Sequence, residues 1–222
     1  MEIKLPAAVF WDLDGTLINS EPYWAQSEAA LLAQVGIEFD PSIAKHLQGT
    51  SLAFVAEYMR EHGLHHMKSE EITKFMVDFV YKKEVDKLPW NPGVQDTLHL
   101  LHDAGIPQVL VTSSPRVMAS NVVEQAGKDI FTGYLCNEDP VKHKPSSEPY
   151  LRAAEIAGVD ITDALIFEDS RPGLTAAGNS GAHWVAVTGF SSVNAREEGL
   201  AHQFVQDFSG ITLADIARFY AR

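Results

Sequence analysis

Through the C-terminal two-thirds of the chain, short and wholly apolar runs alternate with stretches of helical spacing. Residues 107–112 (PQVLVT), 133–136, 164–167 (ALIF) and 183–187 (HWVAV) read as buried strands. Between them, 93–105, 115–127, 146–158 and 171–181 read as helices. Several of these end at glycine, the usual residue for closing a helix. An earlier strand covers 7–13. This rhythm predicts an α/β fold with a doubly wound, mostly parallel, Rossmann-like sheet.

Residues 18–89 break the rhythm. They hold no convincing strand, only amphipathic stretches at 22–35, 52–62 and 70–87. An all-helical insert after the first strand reads as a separate cap domain on a core made of 1–17 and 90–222. Residues 19–22 lead out to it. Residues 88–93 (LPWNPG), with two prolines and a glycine, lead back.

Two of the strands run into acid. Asp12 and Asp14 follow the first, and the two-residue period of a strand sends both side chains to one side. Gly15 then lets the chain turn sharply away. Read alone, Asp-Gly is also an ordinary turn pair. The strand at 164–167 ends in Glu168 and Asp169, so neighbouring strand ends present several carboxyl groups around one point. Capping of the helix near Pro172 is the other reading of these acids, and Ser170 is expected to cap it. Hard oxygen ligands with room for water suit Mg²⁺. The strand at 107–112 ends in hydroxyls, where Thr112, Ser113 and the free N–H groups of the next helix form a phosphate cradle. Capping explains Ser113 or Ser114 equally well. Lys144, before Pro145, supplies the cation that such an acidic site needs.

Overall charge sharpens that requirement. The 222 residues carry a formal net charge of −13, which disfavours nucleic acid or an anionic membrane as partner. Any phosphate must therefore be recognised by local cations. No apolar run is long enough to cross a bilayer, and the N-terminus lacks the order of a signal peptide. The lone Cys136 excludes an internal disulfide and fits a reducing compartment, so a soluble, cytoplasmic monomer is expected. His62, His65 and His66 fall in a polar, glycine-containing break and read as a solvated loop. The four tryptophans read as packing residues, although Tyr23 and Trp24, just after the outgoing linker, could touch substrate.

FWDLDGTLINSEPYW, VTSSPRV, KPSSEPYL and IFEDSRPGLTAA occur in that order and span nearly the whole chain. Together they resemble the haloacid dehalogenase superfamily, in its helical-cap branch of phosphatases and β-phosphoglucomutases. The resemblance implies an Mg²⁺-dependent phosphatase acting on a small phosphorylated metabolite, a sugar or polyol phosphate. By it, Asp12 is the nucleophile and a metal ligand. Asp14 is the general acid and base, binding metal through its backbone carbonyl. Thr112 and Lys144 hold the phosphoryl oxygens, and Asp169 with Glu168, directly or through water, completes the metal shell. His143 departs from the glycine that many relatives carry before Lys-Pro. Dehalogenation and phosphonate cleavage fit less well, because Asp14 supplies an acid that ester chemistry requires. A receiver-like phosphoprotein is a further alternative. A phosphomutase would need an arginine near residues 48–53, where this chain reads QGTSLA. Arg60 is the only arginine between residues 18 and 89.

Overall fold

The computed structural model describes residues 4–40, 43, 47 and 50–221. β1 (Ala8–Trp11) is buried along its whole length between β2 (Gln108–Val111) and β4 (Ala164–Glu168), both parallel to it. A strand covered on both faces needs no polar alternation, and this is why these segments read as unbroken apolar runs. β3 (Gly133–Leu135) pairs outside β2, and β5 (His183–Val187) and β6 (Phe204–Val205) continue beyond β4. The resulting parallel sheet has the order β3-β2-β1-β4-β5-β6. Strand order reverses beside β1, so the carboxyl ends of β1, β2 and β4 meet where open α/β sheets bind ligands.

Two compact units emerge, Met1–Asn19 with Trp90–Arg222, and Ser20–Pro89. The second is helical among its described residues. α1 (Glu21–Ala33) has Pro22 in its first turn, where proline removes only an N–H that would lack a partner. The side chain of Ser51 caps α2 (Leu52–Glu61) by accepting from Phe54 N–H at 3.2 Å. Glu71 reaches back to Lys68 N–H at 2.8 Å to start α3 (Ser69–Glu84). Leu31, Leu32, Val55, Met59, Ile72 and Met76 form a core of this unit's own.

In the sheet unit, α4 (Val94–Asp103), α5 (Arg116–Ala126), α6 (Glu148–Ala157) and α7 (Arg171–Gly178) follow successive strands or linkers. Phe10, Val109, Val111 and Ile166 cluster with Tyr150, Ala153 and Ala154 of α6 and Ala176 and Ala177 of α7. With the period of two, Trp11 turns the opposite way. It stacks on Phe167 at 4.7 Å, and Phe208 meets both rings edge-on at 5.2 Å. The sequence pattern predicts no element after residue 187, yet β6 and α8 (Leu213–Tyr220) are present. β6 has 2 residues and α8 has 8, too short for a clear period. α8 nevertheless opens with a reciprocal cap between Thr212 and Asp215, and its Phe219 packs edge-on against Phe167.

Candidate active site

Strand register brings the candidate residues together. Trp11 pairs with Leu110 on one side and Phe167 on the other, so Asp12 emerges beside the last residues of β2 and β4. Its N–H donates to Phe167 O at 3.1 Å. The chain then winds into a tight turn in which the N–H groups of Thr16, Leu17 and Ile18 converge on Leu13 O. Gly15 adopts φ +87, and a Cβ there would lie 2.2 Å from Asp169 Oδ2. Only glycine fits both the conformation and the approach of that carboxylate. Thr16 Oγ1 lies 3.4 Å from Asp169 Oδ1 on the same side of the turn.

Lys144 is the centre of the arrangement. Its ammonium donates to Asp12 Oδ1 at 2.6 Å, to Glu168 Oε1 at 2.6 Å and to Val111 O at 2.8 Å, with its side chain almost wholly buried. Glu168 is satisfied on both oxygens. Oε1 also accepts from the Tyr150 hydroxyl at 2.9 Å, and Oε2 accepts from Asp169 N–H, Ser170 N–H and Ser170 Oγ at 3.0–3.1 Å. Gly173 leaves space for it, because a Cβ there would fall 1.7 Å from Glu168 Oε1. Ser170 caps α7 by accepting from Gly173 N–H at 3.1 Å.

Electrostatics follow from this crowding. Burial, then the charge of Glu168, push the Asp12 carboxyl up to about 7, with Lys144 opposing. Burial pulls the Lys144 ammonium down, but Asp12 and Glu168 outweigh it and hold its pKa above the ordinary value. Burial, then Glu168, also raise the Tyr150 hydroxyl, so it stays a donor. Asp12, Glu168 and Asp169 each offer an oxygen within 4.8 Å of the others, all from buried residues. With all three carboxyl groups ionised, one ammonium would leave an excess of two negative charges, and burial and crowding already push Asp12 towards its neutral form. That excess and the all-oxygen donor set fit a divalent hard cation. Asp12 and Asp169 are the better placed to hold it, since Glu168 already accepts from five protein donors.

At the end of β2, Thr112 is buried and Ser113 exposed. The Thr112 hydroxyl accepts from Ser114 N–H at 2.9 Å, which leaves its O–H to donate. The helix-start cradle is narrower than the sequence suggests. The Arg116 N–H is bonded to the Glu138 carboxylate at 2.9 Å, and the Ser114 N–H is taken by Thr112. An acidic side chain from after β3 thus caps α5, a contact that strand spacing could not reveal. Ser114 was passed over as a helix cap, yet its buried hydroxyl donates to Asp14 Oδ2 at 2.5 Å. Tyr150 lies within KPSSEPYL, where local pattern gives it no role. Its signal was a tyrosine on an apolar helix face, which needs a hydroxyl partner. Cys136 is free and buried, and burial pushes its thiol up to about 12, so it is no nucleophile.

Comparison with known proteins places this geometry in a family. The family model for haloacid dehalogenase-like hydrolases matches residues 9–187. A phosphoglycolate phosphatase of Neisseria gonorrhoeae is 31% identical over 188 residues, covering 82% of this chain and 79% of its own. Validoxylamine A 7′-phosphate phosphatase of Streptomyces hygroscopicus is 28% identical, covering 80% and 84%. Among solved structures, β-phosphoglucomutase from Clostridium difficile shares the fold with a TM-score of 0.79 at 18% identity, covering 97% of both chains. The order of strands, the acidic cluster and these matches agree that this chain belongs to the haloacid dehalogenase-like hydrolase family.

Proposed function

We propose that the protein is an Mg²⁺-dependent phosphatase of small phosphate monoesters, sugar or polyol phosphates, working through an aspartyl-phosphate on Asp12. One observation carries the reading: Asp12 directly follows the central strand with Oδ1 held by a buried lysine, inside a buried cluster with Glu168 and Asp169. Two curated relatives named for small phosphate esters support the substrate class.

The steps fall to this chain's own residues. Lys144 fixes the Asp12 carboxylate so that an oxygen attacks phosphorus, forming the Asp12 O–P bond as the ester P–O bond breaks. Asp14, held by Ser114, gives its proton to the leaving alkoxide. It then takes a proton from the water that attacks the aspartyl-phosphate, which frees Asp12 and releases inorganic phosphate. Thr112 holds a phosphoryl oxygen, while Lys144, whose three N–H groups go to Asp12, Glu168 and Val111, offsets the phosphoryl charge from beside the nucleophile. A cation held by Asp12, Asp169 and the Asp14 carbonyl would keep Asp12 ionised and offset its repulsion of the phosphate.

A phosphomutase must grip a second phosphate, for which arginine is the favoured side chain. Of the stretch 48–53, residues 48 and 49 lie outside the described residues. Arg60 sits on α2, paired with Glu57 at 3.2 Å. Hydrolysis is therefore the proposed outcome. The test is a screen of sugar, polyol and nucleotide monophosphates and phosphoglycolate with Mg²⁺. Phosphate release from a small monoester, unstimulated by the matching bisphosphate, is expected. Isomerisation faster than phosphate release, dependent on the bisphosphate, would replace this reading with the mutase.

A further inference from the structure

Asn91 belongs to the segment returning from residues 20–89, and nothing in its sequence setting suggests a part in the chemistry. It is 3% exposed. Its N–H donates to Leu17 O at 2.9 Å, and its Nδ2 donates to Gly15 O at 3.1 Å and Thr16 O at 2.8 Å. Three consecutive carbonyls of the turn after the nucleophile thus end on one residue. Trp90, its neighbour, forms a bridge with Ile18, the last residue of the same turn.

The turn's N–H groups are spent within it: Thr16, Leu17 and Ile18 donate to Leu13 O, and Gly15 donates to Ile18 O. Its outward carbonyls need donors from elsewhere, because a buried backbone acceptor must be paired. Asn91 supplies them while its own Oδ1 stays buried without a hydrogen-bond partner among the described residues. The two Nδ2 donations fix the amide's orientation. Flipping it would set oxygen against two carbonyl oxygens. An amide kept in the interior for its donors alone is one whose donors matter. The opposite side of the turn meets the Asp169 carboxylate at Gly15 and Thr16, and the turn begins at Asp14.

We infer that Asn91 is a positioning residue for the catalytic turn, holding the Gly15–Thr16 backbone so that Asp14 and Asp169 keep their places around Asp12. The inference rests on the phosphatase reading above. Displacing reacting groups by about 1 Å costs on the order of 10²-fold in rate. Asn91→Leu, of similar size without donors, should lower kcat by about 30- to 100-fold while KM changes less than about threefold. Native-state hydrogen exchange at Gly15, Leu17 and Ile18 should quicken by at least about tenfold. Ser180→Ala is the comparison, because Ser180 is a buried hydroxyl bonded to Ala177 O away from the site. It should lower Tm and leave kcat unchanged. If Asn91→Leu does not fold, Asn91→Ser, which can keep one donor, should show a smaller loss in the same two readouts. An Asn91 variant that loses Tm like Ser180→Ala, with wild-type kcat and wild-type exchange in the turn, overturns the inference. The two readings fail separately. Wild-type protein that releases no phosphate refutes the phosphatase, and the exchange measurement still decides whether Asn91 holds the turn.

Discussion

Replacing Glu28 with glutamine removes a charge from inside the Ser20–Pro89 unit. Glu28 lies on α1, 4% exposed, and its Oε2 has no hydrogen-bond partner among the described residues. Burial pushes the carboxyl from 4.5 up to about 7. In the unfolded chain it titrates near its ordinary value. Below pH 4.5 it is protonated in both states and has no effect. Between 4.5 and about 7 the folded state binds a proton that the unfolded state has lost, so stability falls as pH rises. Above about 7 the full penalty applies. A shift of this size at about 1.36 kcal/mol per pH unit gives a ceiling of roughly 3 kcal/mol. Relaxation and water penetration around the charge lower the expected value to about 2 kcal/mol. Glutamine keeps the shape, and any cost of its amide is the same at every pH. Urea unfolding of wild type and Glu28→Gln at pH 5 and pH 8 isolates the effect. Part of the penalty is already present at pH 5, so the variant should gain about 1.5 kcal/mol relative to wild type between the two pH values. Parallel pH profiles would refute the reasoning and show that Glu28 is solvated or paired when charged.

Three further outcomes bear on the site. Lys144→Met leaves Asp12 and Glu168 buried without their shared cation, and should cost about 3–5 kcal/mol in stability and at least about 10²-fold in kcat, read by urea unfolding and phosphate release. Asp14→Asn should slow hydrolysis of an alkyl phosphate by about 10²–10⁴-fold, and less for a nitrophenyl ester, whose leaving group needs no proton. Chelation by EDTA should abolish phosphate release and Mg²⁺ restore it, with Ca²⁺ a poor substitute because its looser shell does not hold an in-line pose; full activity after rigorous metal removal would contradict this.

What the sequence disclosed was whatever local pattern carries. AVFW and ALIF marked buried strands because a sheet covered on both faces erases polar alternation. The acids directly after them could only sit at the carboxyl ends. Lys144 was found through its motif, yet its bonding to Glu168 as well as Asp12 needed the fold. Ser114, Tyr150 and Asn91 were missed for one reason: each acts through a partner 18 to 100 residues away, which no spacing rule registers. Glu28 falls within the stretch 22–35 that reads as an amphipathic helix, and only packing shows it buried. α8 was hidden by its length, although its Thr212–Asp215 cap was there to be read.

The most direct test of the central claim is chemical capture of the intermediate. Wild-type enzyme turning over its best monophosphate with Mg²⁺ is quenched in acid, and the acyl phosphate is reduced with borohydride before peptide mass mapping. Reduction converts a phosphorylated aspartate to homoserine, so the account predicts homoserine at position 12, absent without substrate and absent in Asp12→Asn. Homoserine at another acidic position, or Asp12→Asn retaining a tenth or more of wild-type turnover, on the order of what a dispensable side chain would leave, would contradict it.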